Sequence, residues 1–404
     1  MIFFQVQSKM DSVGLADVNV RLKYVDEFIF EPFMSQSLFQ YMSNIKNEIT
    51  AHVTKWDRYK KYTNVYEYVH TVLPEAKMAV CKLKPLSRSF YKMIEITQCF
   101  HIIKEFETRH ANRPLRSFHL AEGPGGFVEA LIYMRTRHPD DAYYGMTLQS
   151  ASQNTPGWKK SLSTLHKNSG GCFHVVNGED GTGDLTQPQN FWHCVENYGA
   201  TIDIVTADGG FDFTVNFNQQ EMLALRLVMA EVFTALALQR KGGYFVLKIY
   251  DVFMKATVEL IYLLCNMYES VFLYKPHMSR AANSEKYLIC KCMVTELTPE
   301  WHKKFHSILT RLAQSPDYVV ESILDIEIDH MFLTKMNEIC SVIGQQQLEN
   351  ISSTLNLIHN PKGDRIESYK RNNAHNCVSW CVKHGLPHND VVRYLNDISS
   401  HAPL

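Results

Sequence analysis

Residues 117–293 alternate between short apolar runs and longer amphipathic runs, and this alternation constrains the fold more than any other feature of the sequence. Alternation of this kind is typical of an α/β fold with a doubly wound, mostly parallel sheet that binds ligands at the C-terminal strand ends. The last two strands are joined by a polar loop, so we expect them to form an antiparallel pair at one edge. The apolar runs predict seven strands, at 117–122, 142–148, 172–177, 201–208, 243–250, 270–275 and 286–293. The amphipathic runs predict helices near 126–137, 157–167, 218–240 and 254–267.

Helix-rich sequence flanks this central region on both sides. Residues 87–109 carry apolar side chains at helical spacing, and Ser87 or Ser89 is a candidate N-cap. We therefore expect three parts: a helical N-terminal extension over 1–84, a central domain over 85–295 and a helical C-terminal extension over 296–404. Within the last part, helical periodicity is clearest at 302–313 and 339–358.

Composition bounds the class of protein. Of the 404 residues, 45% are apolar and 21% charged, as in ordinary soluble globular proteins. The formal net charge of −1 means that any contact with a nucleic acid depends on a local basic patch. We see neither a run of apolar residues long enough to span a membrane nor a secretory signal. Most of the ten cysteines lie in apolar runs, which indicates a reducing intracellular compartment. We expect the nucleus or cytoplasm, or the virion or viral factory if the protein is viral.

One cysteine and histidine cluster has to be weighed as a metal site. His375, Cys377, Cys381 and His384 could supply four zinc ligands. However, the cluster contains no C-x-x-C pair, and on a helix three of its members share one face. We therefore favour a helix face and predict no metal.

A glycine-rich turn, His119-Leu-Ala-Glu-Gly-Pro-Gly-Gly-Phe127, follows the first predicted strand and precedes a helix. Such a turn presents backbone N–H groups and a helix N-terminus to a ligand, because glycine has no Cβ to block its approach. A dinucleotide fingerprint needs a third glycine where Val128 stands, and no Lys-Ser/Thr pair completes a P-loop. The turn fits a small zwitterionic ligand better, such as S-adenosylmethionine. The predicted cofactor residues here are Glu122, Gly123, Pro124, Gly125, Gly126 and Phe127.

Two later strand ends complete the predicted cofactor pocket. Residues 178–185 form a second glycine-rich turn, in which the carboxylate of Asp184 could accept a hydrogen bond from a ribose hydroxyl or an exocyclic amine. Alternatively, Asp184 caps the next helix. Thr147 ends the second strand, which offers no acidic residue for a ribose and so departs from the commonest cofactor pattern.

Charged residues accumulate at the neighbouring strand ends. Asp208 ends the fourth strand, Lys248 lies in the otherwise apolar fifth strand, and Glu285 begins the last strand. A lysine in an apolar strand is costly unless it is paired or functional. Lys92, on the preceding helix, can reach the same edge of the sheet. We predict that burial and the second lysine lower the pKa of one lysine, which then accepts a proton from a sugar hydroxyl.

A basic and aromatic run lies in the N-terminal extension, from Lys55 to Tyr62. Such a composition suits single-stranded nucleic acid, whose bases stack on rings while its phosphates meet cations. A plain amphipathic helix with its rings facing the core explains the same spacing, and we favour that interpretation.

Taken in order, these motifs resemble the FtsJ-like (RrmJ-type) ribose 2′-O-methyltransferases. The resemblance covers about residues 85–295 and matches that family's Lys-Asp-Lys-Glu tetrad to Lys92, Asp208, Lys248 and Glu285. The long run from Lys275 to Tyr287 is most similar to the cap-specific mRNA enzymes of eukaryotes and large DNA viruses. The resemblance implies a Rossmann-like, S-adenosylmethionine-dependent methyltransferase fold with a seven-stranded, mostly parallel sheet and an antiparallel edge.

The resemblance also implies what the individual residues do. Lys248 is then the general base, Asp208 and Lys92 orient it and tune its pKa, and Glu285 completes the network. Asp208 would also border the cofactor, together with Thr147, Asp184 and the glycine-rich turn. The implied RNA contacts are Arg88, Gly209, Gly210, Phe211, Ser279, Arg280 and Asn283.

Three functions stay open at this point. The first is 2′-O-methylation of the first transcribed nucleotides of capped mRNA, with capping or transcription components as possible partners. The second is 2′-O-methylation of ribosomal RNA. The third is a catalytically silent methyltransferase fold that binds RNA as a scaffold, which the presence of all four tetrad residues disfavours.

Overall fold

The computed structural model describes residues 3–6, 12–73, 76–110, 113–136, 138–149, 157–210 and 218–391. Ten strands run over Phe3–Gln5 (β1), Val18–Tyr24 (β2), Arg116–Leu120 (β3), Ala142–Met146 (β4), Phe173–Val175 (β5), Ile202–Ala207 (β6), Gln239–Ile249 (β7), Tyr268–Tyr274 (β8), Lys286–Met293 (β9) and Tyr318–Leu324 (β10).

Twelve α-helices are described with them. They run over Gln36–Ala51 (α1), Val53–Thr63 (α2), Ser89–Cys99 (α3), Ile102–Arg109 (α4), Gly126–Met134 (α5), Leu162–Ser169 (α6), Pro188–Tyr198 (α7), Gln220–Leu238 (α8), Lys255–Met267 (α9), Pro299–Ala313 (α10), His330–His359 (α11) and Gly363–Lys383 (α12). Short 3-10 helices lie at Leu15–Asp17, Val25–Glu27, Glu67–Val69 and Trp158–Lys160.

The main sheet has the strand order β1-β8-β9-β7-β6-β3-β4-β5. Strands β7, β6, β3, β4 and β5 are parallel, whereas β9 pairs antiparallel with both β7 and β8. The seven predicted strands and their antiparallel pair are therefore confirmed. Because β9 inserts between β7 and β8, residues 285–287 come to lie beside the end of β7, next to Lys248.

The terminal extensions contain strands that the sequence analysis assigned to helical regions. The three-residue β1 pairs with β8 and makes the main sheet eight-stranded, and it is too short to show a periodicity. Strand β2 pairs antiparallel with β10, so the two extensions share a small second sheet. Buried and exposed residues alternate along the first half of β2, the period-2 pattern of a half-buried strand.

Three local predictions about helices were wrong. The helix predicted over 87–109 is two helices, separated at His101, which has a left-handed φ of 55°. Ser87 and Ser89 hydrogen-bond to each other, and the N-cap residue of α3 is Arg88, which makes no capping bond through its side chain. Helix α7 was missed, although Pro188 at its first position is a start signal.

The core lies on both faces of the main sheet. Helices α8 and α9 cover one face, with Phe233 and Leu264 fully buried, and helices α3 to α5 cover the other, with Ile94 and Phe127 fully buried. A separate apolar cluster joins α1 and α2 to α11 and includes Trp56. The two extensions are thereby packed against each other, and both reach the edge of the sheet where the strands β6 and β7 end. Within the part of the chain that the structure describes, none of the helices is long and apolar enough to cross a membrane.

Candidate active site

The glycine-rich turn connects β3 to α5 as predicted. Gly125 adopts a φ of 107°, and its N–H donates to the carbonyl of Glu122 at 2.6 Å. A Cβ atom at Gly126 would lie 2.1 Å from Oγ of Ser89 and 2.8 Å from the backbone nitrogen of Phe90. The glycine therefore lets the start of α5 pack directly on α3, the helix that carries Lys92. Gly123 and Pro124 form the outer part of the turn, joined by a cis peptide bond.

His119 and Thr206, which the sequence analysis did not select, are buried beneath this turn together with the predicted cofactor residue Glu122. Nδ1 of His119 lies 2.7 Å from Oγ1 of Thr206 and 3.2 Å from Oε2 of Glu122. Burial lowers the pKa of His119 to about 3, and burial raises the pKa of Glu122 well above its ordinary value. Burial therefore favours the neutral form of both side chains, which support the turn from below.

Phe127, a predicted cofactor residue, has its side chain in the core. Its side chain is fully buried, and its ring lies 5.8 Å from the ring of Tyr287. The reason is its position on α5, where it points into the core beneath the sheet edge. Phe127 supports the site through Tyr287 and does not present its ring to a ligand.

The second glycine-rich turn packs on the end of β4. A Cβ atom at Gly183 would lie 2.1 Å from the carbonyl oxygen of Thr147, so this approach requires glycine. The carboxylate of Asp184 accepts hydrogen bonds from the backbone N–H and hydroxyl of Thr186, at 2.9 and 2.7 Å. Asp184 does not cap α7, whose N-cap is Gln187. It shapes the turn instead and keeps a partly exposed side chain.

The four tetrad residues come together above the strand ends. Nζ of Lys92 lies 2.8 Å from Oε1 of Glu285. Nζ of Lys248 lies 3.1 Å from Oδ1 of Asp208 and donates to the backbone carbonyl of Asp208 at 2.6 Å. Two ion pairs, one from α3 to the start of β9 and one between β6 and β7, thus lie side by side.

Tyr287 connects these two ion pairs and was not selected as a site residue. Its hydroxyl donates to Oδ1 of Asp208 at 2.8 Å and accepts from Nζ of Lys92 at 3.2 Å. Tyr287 is paired with Lys248 across the β7–β9 ladder. It also follows Glu285 by two residues, and this strand spacing places both side chains on one face of the sheet. That spacing was a usable signal in the sequence.

The charge state of Lys248 differs from our prediction. Burial lowers the pKa of Lys248, but the nearby Asp208, Tyr250 and Glu285 outweigh burial and raise it above its ordinary value. Burial likewise raises the pKa of Glu285, but Lys92 and Lys248 outweigh it, so that pKa is lowered. The prediction of a lowered lysine pKa was wrong for this arrangement, because the anionic partners of Lys248 outweigh its burial. Lys248 is a cation here and Glu285 an anion.

A cavity of about 450 Å³ opens beside the tetrad and extends to the glycine-rich turn. Its polar lining and its volume suit a polar ligand of roughly nucleoside size. The N-terminal extension supplies part of its wall. The described residues that line it are Lys46, Ile49, Trp56, Lys60, Ala121, Gly123, Asp208, Gly210, Gln220, Lys248, Tyr250, Arg280, Ala282, Asn283, Ser284 and Glu285.

The residues predicted to contact RNA fall into two groups. Gly210, Arg280 and Asn283 line the cavity. Ser279 is buried at 3% exposure, and Gly209 is buried against the carboxyl group of Glu231, so neither presents a side to a substrate here. Phe211 lies outside the described residues.

Arg88 and Arg280 converge on one buried carboxylate of the N-terminal extension, Glu67. Nη1 of Arg88 lies 2.7 Å from Oε2 of Glu67, and Nη2 of Arg280 lies 2.8 Å from its Oε1. Nε of Arg88 also donates to the carbonyl of Met278 at 3.1 Å. Arg88 holds the segment around 278–280 in place in this structure, and its contact with RNA stays a prediction.

The basic and aromatic run forms α2, and the amphipathic interpretation is confirmed for Trp56, which packs in the cluster with α11. Lys55, Arg58 and Lys61 are exposed. Lys60 is ion-paired with Asp57 and lines the cavity. The helix therefore presents an apolar side to the core and cations to its surroundings.

The candidate zinc residues occupy different environments. Cys377 and Cys381 are buried, His375 is exposed, and Nδ1 of His384 lies 2.6 Å from Oε1 of Gln98. Within the described ranges, no three His, Cys, Asp or Glu side chains are arranged to hold a metal ion.

Comparison with known proteins gives consistent matches. The chain is 35% identical over 214 residues to the cap-specific mRNA (nucleoside-2′-O-)-methyltransferase 1 of Danio rerio, covering 50% of this chain and 25% of that protein. It is 29% identical over 358 residues to the cap-specific mRNA (nucleoside-2′-O-)-methyltransferase 2 of Mus musculus, covering 83% and 43%. The chain thus spans less than half the length of both relatives.

Among solved structures, a Plasmodium falciparum protein described as a ribosomal RNA methyltransferase matches with a TM-score of 0.35 and 15% identity, over 52% of this chain and 99% of that one. A TM-score this low supports no conclusion. The sequence profile of the FtsJ-like methyltransferases, in contrast, matches residues 85–293, more than half of the chain. The chain belongs to the FtsJ-like methyltransferase family.

Proposed function

We propose that this protein transfers a methyl group from S-adenosylmethionine to the ribose 2′-hydroxyl of RNA, at the first transcribed nucleotides of capped mRNA. The observation that carries the proposal is the continuous chain of contacts Glu285–Lys92–Tyr287–Asp208–Lys248, which borders a cavity that also reaches Gly123. The two relatives named above are called cap-specific mRNA methyltransferases, and this supports the choice of substrate.

The glycine-rich turn fits the proposed cofactor. Oε1 of Glu122 is buried and has no hydrogen-bond partner among the described residues. The N–H of Gly123 makes only a long contact, 3.4 Å, to Oγ1 of Thr147. Polar groups that lack a short hydrogen bond and lie beside a cavity are available to bind a zwitterionic ligand. Glu122, Gly123 and Thr147 would therefore hold its polar end.

When bound, S-adenosylmethionine supplies an electrophilic methyl group on a cationic sulfur. Lys248 lies where it can take the proton of the 2′-hydroxyl, provided that it first loses its own. A second positive charge brought near Lys248 would lower its pKa, and so reverse the effect of Asp208. As the 2′-oxygen took up that methyl group, Nζ of Lys248 would accept the proton that the hydroxyl loses. Asp208 holds that nitrogen in place, and the hydroxyl of Tyr287 donates to Asp208.

The proposal is tested with purified protein, labelled S-adenosylmethionine and short RNA oligomers with or without a cap. We expect label at the 2′-oxygen of a nucleotide near the cap and little on the uncapped oligomer. Equal labelling of uncapped, structured ribosomal RNA fragments would instead favour the ribosomal RNA function. RNA binding without any labelling would favour the silent scaffold.

Cellular context forms the remaining part of the proposal. All ten cysteines are free thiols, and eight of them are buried, which suits a reducing compartment. We propose an intracellular site of action, in the nucleus or cytoplasm, or in a virion or viral factory if the chain is viral. Contacts with other capping or transcription components belong to the same proposal.

A further inference from the structure

The loop that precedes Glu285 is held by both terminal extensions. From the C-terminal extension, Nε2 of Gln347 on α11 donates to the carbonyl of Ala282 at 3.0 Å. From the N-terminal extension, Nζ of Lys46 on α1 donates to Oγ of Ser284 at 3.0 Å. Neither extension belongs to the segment that matches the family profile. The position of Glu285 therefore depends on residues outside that segment.

Lys46 lies at the centre of a buried charge cluster. Its Nζ is 2.7 Å from Oδ2 of Asp251, and the hydroxyl of Ser284 donates to the same oxygen at 3.0 Å. Nζ of Lys286 lies 3.8 Å from Oδ1 of Asp251. All four residues are at most 7% exposed. Burial raises the pKa of Asp251, but Lys46 and Lys286 outweigh burial and lower it, so the carboxylate stays ionised.

The cluster joins the two strand ends that carry catalytic candidates. Asp251 follows Lys248 by three residues after the end of β7, and Ser284 immediately precedes Glu285. Nζ of Lys286 also donates to the carbonyl of Tyr250 at 2.7 Å. Lys46 binds both sides of this junction from a third element, α1. Removing the Lys46 side chain takes away one of the contacts that hold the loop at 282–284 in place.

We propose that Lys46 is a positioning residue for methyl transfer, which it serves by fixing the loop before Glu285 against Asp251. The inference rests on the proposed function above. The contact of 2.8 Å between Glu285 and Lys92 tolerates little displacement, because catalytic groups misplaced by about 1 Å can lose a hundredfold in rate. Lys46 also lines the cavity, so its test must separate positioning from direct contact with RNA.

The test compares Lys46→Met with Lys370→Met. Lys370 is the matched control, because it is a lysine of similar burial on α12, ion-paired with Glu367 at 2.7 Å and outside the cavity lining. We expect Lys46→Met to lower kcat on capped RNA at least tenfold, with KM values for RNA and S-adenosylmethionine within about twofold of wild type. Lys370→Met should retain kcat, and Lys46→Met should have the lower melting temperature, because its partner Asp251 is buried whereas Glu367 is half exposed. Both variants are therefore assayed well below the lower melting temperature.

A second variant and a second measurement make the test decisive. Ser284→Ala should lower kcat in the same direction, and the double variant should be no worse than Lys46→Met alone, since both act through one contact. Hydrogen exchange at the amides of 282–285 should be faster in Lys46→Met than in Lys370→Met. This measurement needs no activity, so it still decides whether Lys46 tethers the loop if the wild-type protein methylates no RNA and the proposed function fails.

Three outcomes would overturn the inference. One is an unchanged kcat in Lys46→Met, and another is an equal loss in Lys370→Met, which would show a general stability effect. The third is a raised KM for RNA with kcat intact, which would make Lys46 a substrate contact. Unchanged exchange at 282–285 would independently remove the tether on which the proposal depends.

Discussion

Two buried charge clusters lie next to each other in this protein, and they are built from different cations. The tetrad joins Lys92 and Lys248 to two carboxylates and borders the cavity. The neighbouring cluster joins Arg88 and Arg280 to Glu67 alone. A lysine can lose its proton within a protein, whereas an arginine does not.

This difference between lysine and arginine shows which of the two clusters is suited to proton transfer. Proton transfer needs a cation that can become neutral. Of these two clusters, only the tetrad contains such a cation. The planar guanidinium groups of the arginine cluster, with their several fixed donors, suit a rigid junction between Glu67 in the N-terminal extension and the segment around 278–280. We therefore expect changes to the lysines to remove activity, and changes at Glu67 mainly to affect stability.

The largest effect is expected at Lys248. Lys248→Arg keeps the positive charge but cannot accept a proton, and Lys248→Ala removes both. If Lys248 is the general base, each variant should lose roughly 10²- to 10⁴-fold in kcat, the usual contribution of general acid–base catalysis. Single-turnover methylation of capped RNA measures this loss, and calorimetry with S-adenosylmethionine serves as the control for an intact cofactor site. Substantial activity in Lys248→Arg would show that the charge suffices.

The next effect concerns stability and falls on Glu67. This side chain is fully buried, so Glu67→Gln leaves Arg88 and Arg280 beside each other without the carboxylate that contacts both. Removing one partner from a buried ion pair costs about 3–5 kcal/mol, and the partial exposure of Arg280 places the expectation near the lower value. Urea unfolding measures the change. A loss below about 1 kcal/mol would contradict a structural role for the arginine cluster.

The pH dependence of stability gives an independent check on Glu67. Burial raises its pKa, but Arg280 and Arg88 outweigh burial, so the pKa in the folded protein is well below the ordinary value of 4.5. The stabilisation is therefore fully present above pH 4.5 and is lost as the pH falls below it. Wild type should lose stability more steeply than Glu67→Gln in this acid range. Parallel curves would show that Glu67 is not ion-paired in solution.

A smaller effect is expected at Tyr287, which links the two halves of the tetrad. Tyr287→Phe removes one donor to Asp208 and one acceptor for Lys92, so we expect kcat to fall about tenfold, which corresponds to roughly one hydrogen bond. Tyr268→Phe is the matched control, since that fully buried tyrosine donates to Oε1 of Gln239, at the opposite end of β7 from Lys248. Equal losses of kcat in the two variants would mean that the hydrogen bonds of Tyr287 contribute no more to catalysis than those of the control tyrosine.

The same contrast between regions explains how much the sequence predicted. The seven central strands and the meeting of Lys92, Asp208, Lys248 and Glu285 could be predicted, because parallel strands end at a common edge and period-2 alternation fixes which side chains share a face. By the same rule, Tyr287 could have been found from its spacing to Glu285.

Lys46 and Glu67 could not be predicted. Each meets one partner, Asp251 or Arg280, across about two hundred residues of chain, and neither lies in a motif or a periodic pattern that marks it. The direction of the pKa shift of Lys248 could not be predicted from the sequence either. Its raised pKa depends on the ion pair of 3.1 Å with Asp208, and a spacing pattern does not contain such a distance.

The smallest effect concerns cations that belong to neither cluster. Lys55, Arg58 and Lys61 are exposed on α2. Two other residues of the same helix, Trp56 and Lys60, line the cavity. If RNA leaves the cavity across this helix, substituting these three cations by alanine should make the slope of log affinity against log salt shallower by up to about two, since each phosphate contact on a single strand contributes about 0.7. Lys303 and Lys304 on α10 provide a control pair that should leave the slope unchanged. An unchanged slope in the α2 variant would show that RNA does not cross the N-terminal extension. Arg88 and Arg280 would then mark the boundary of the substrate site.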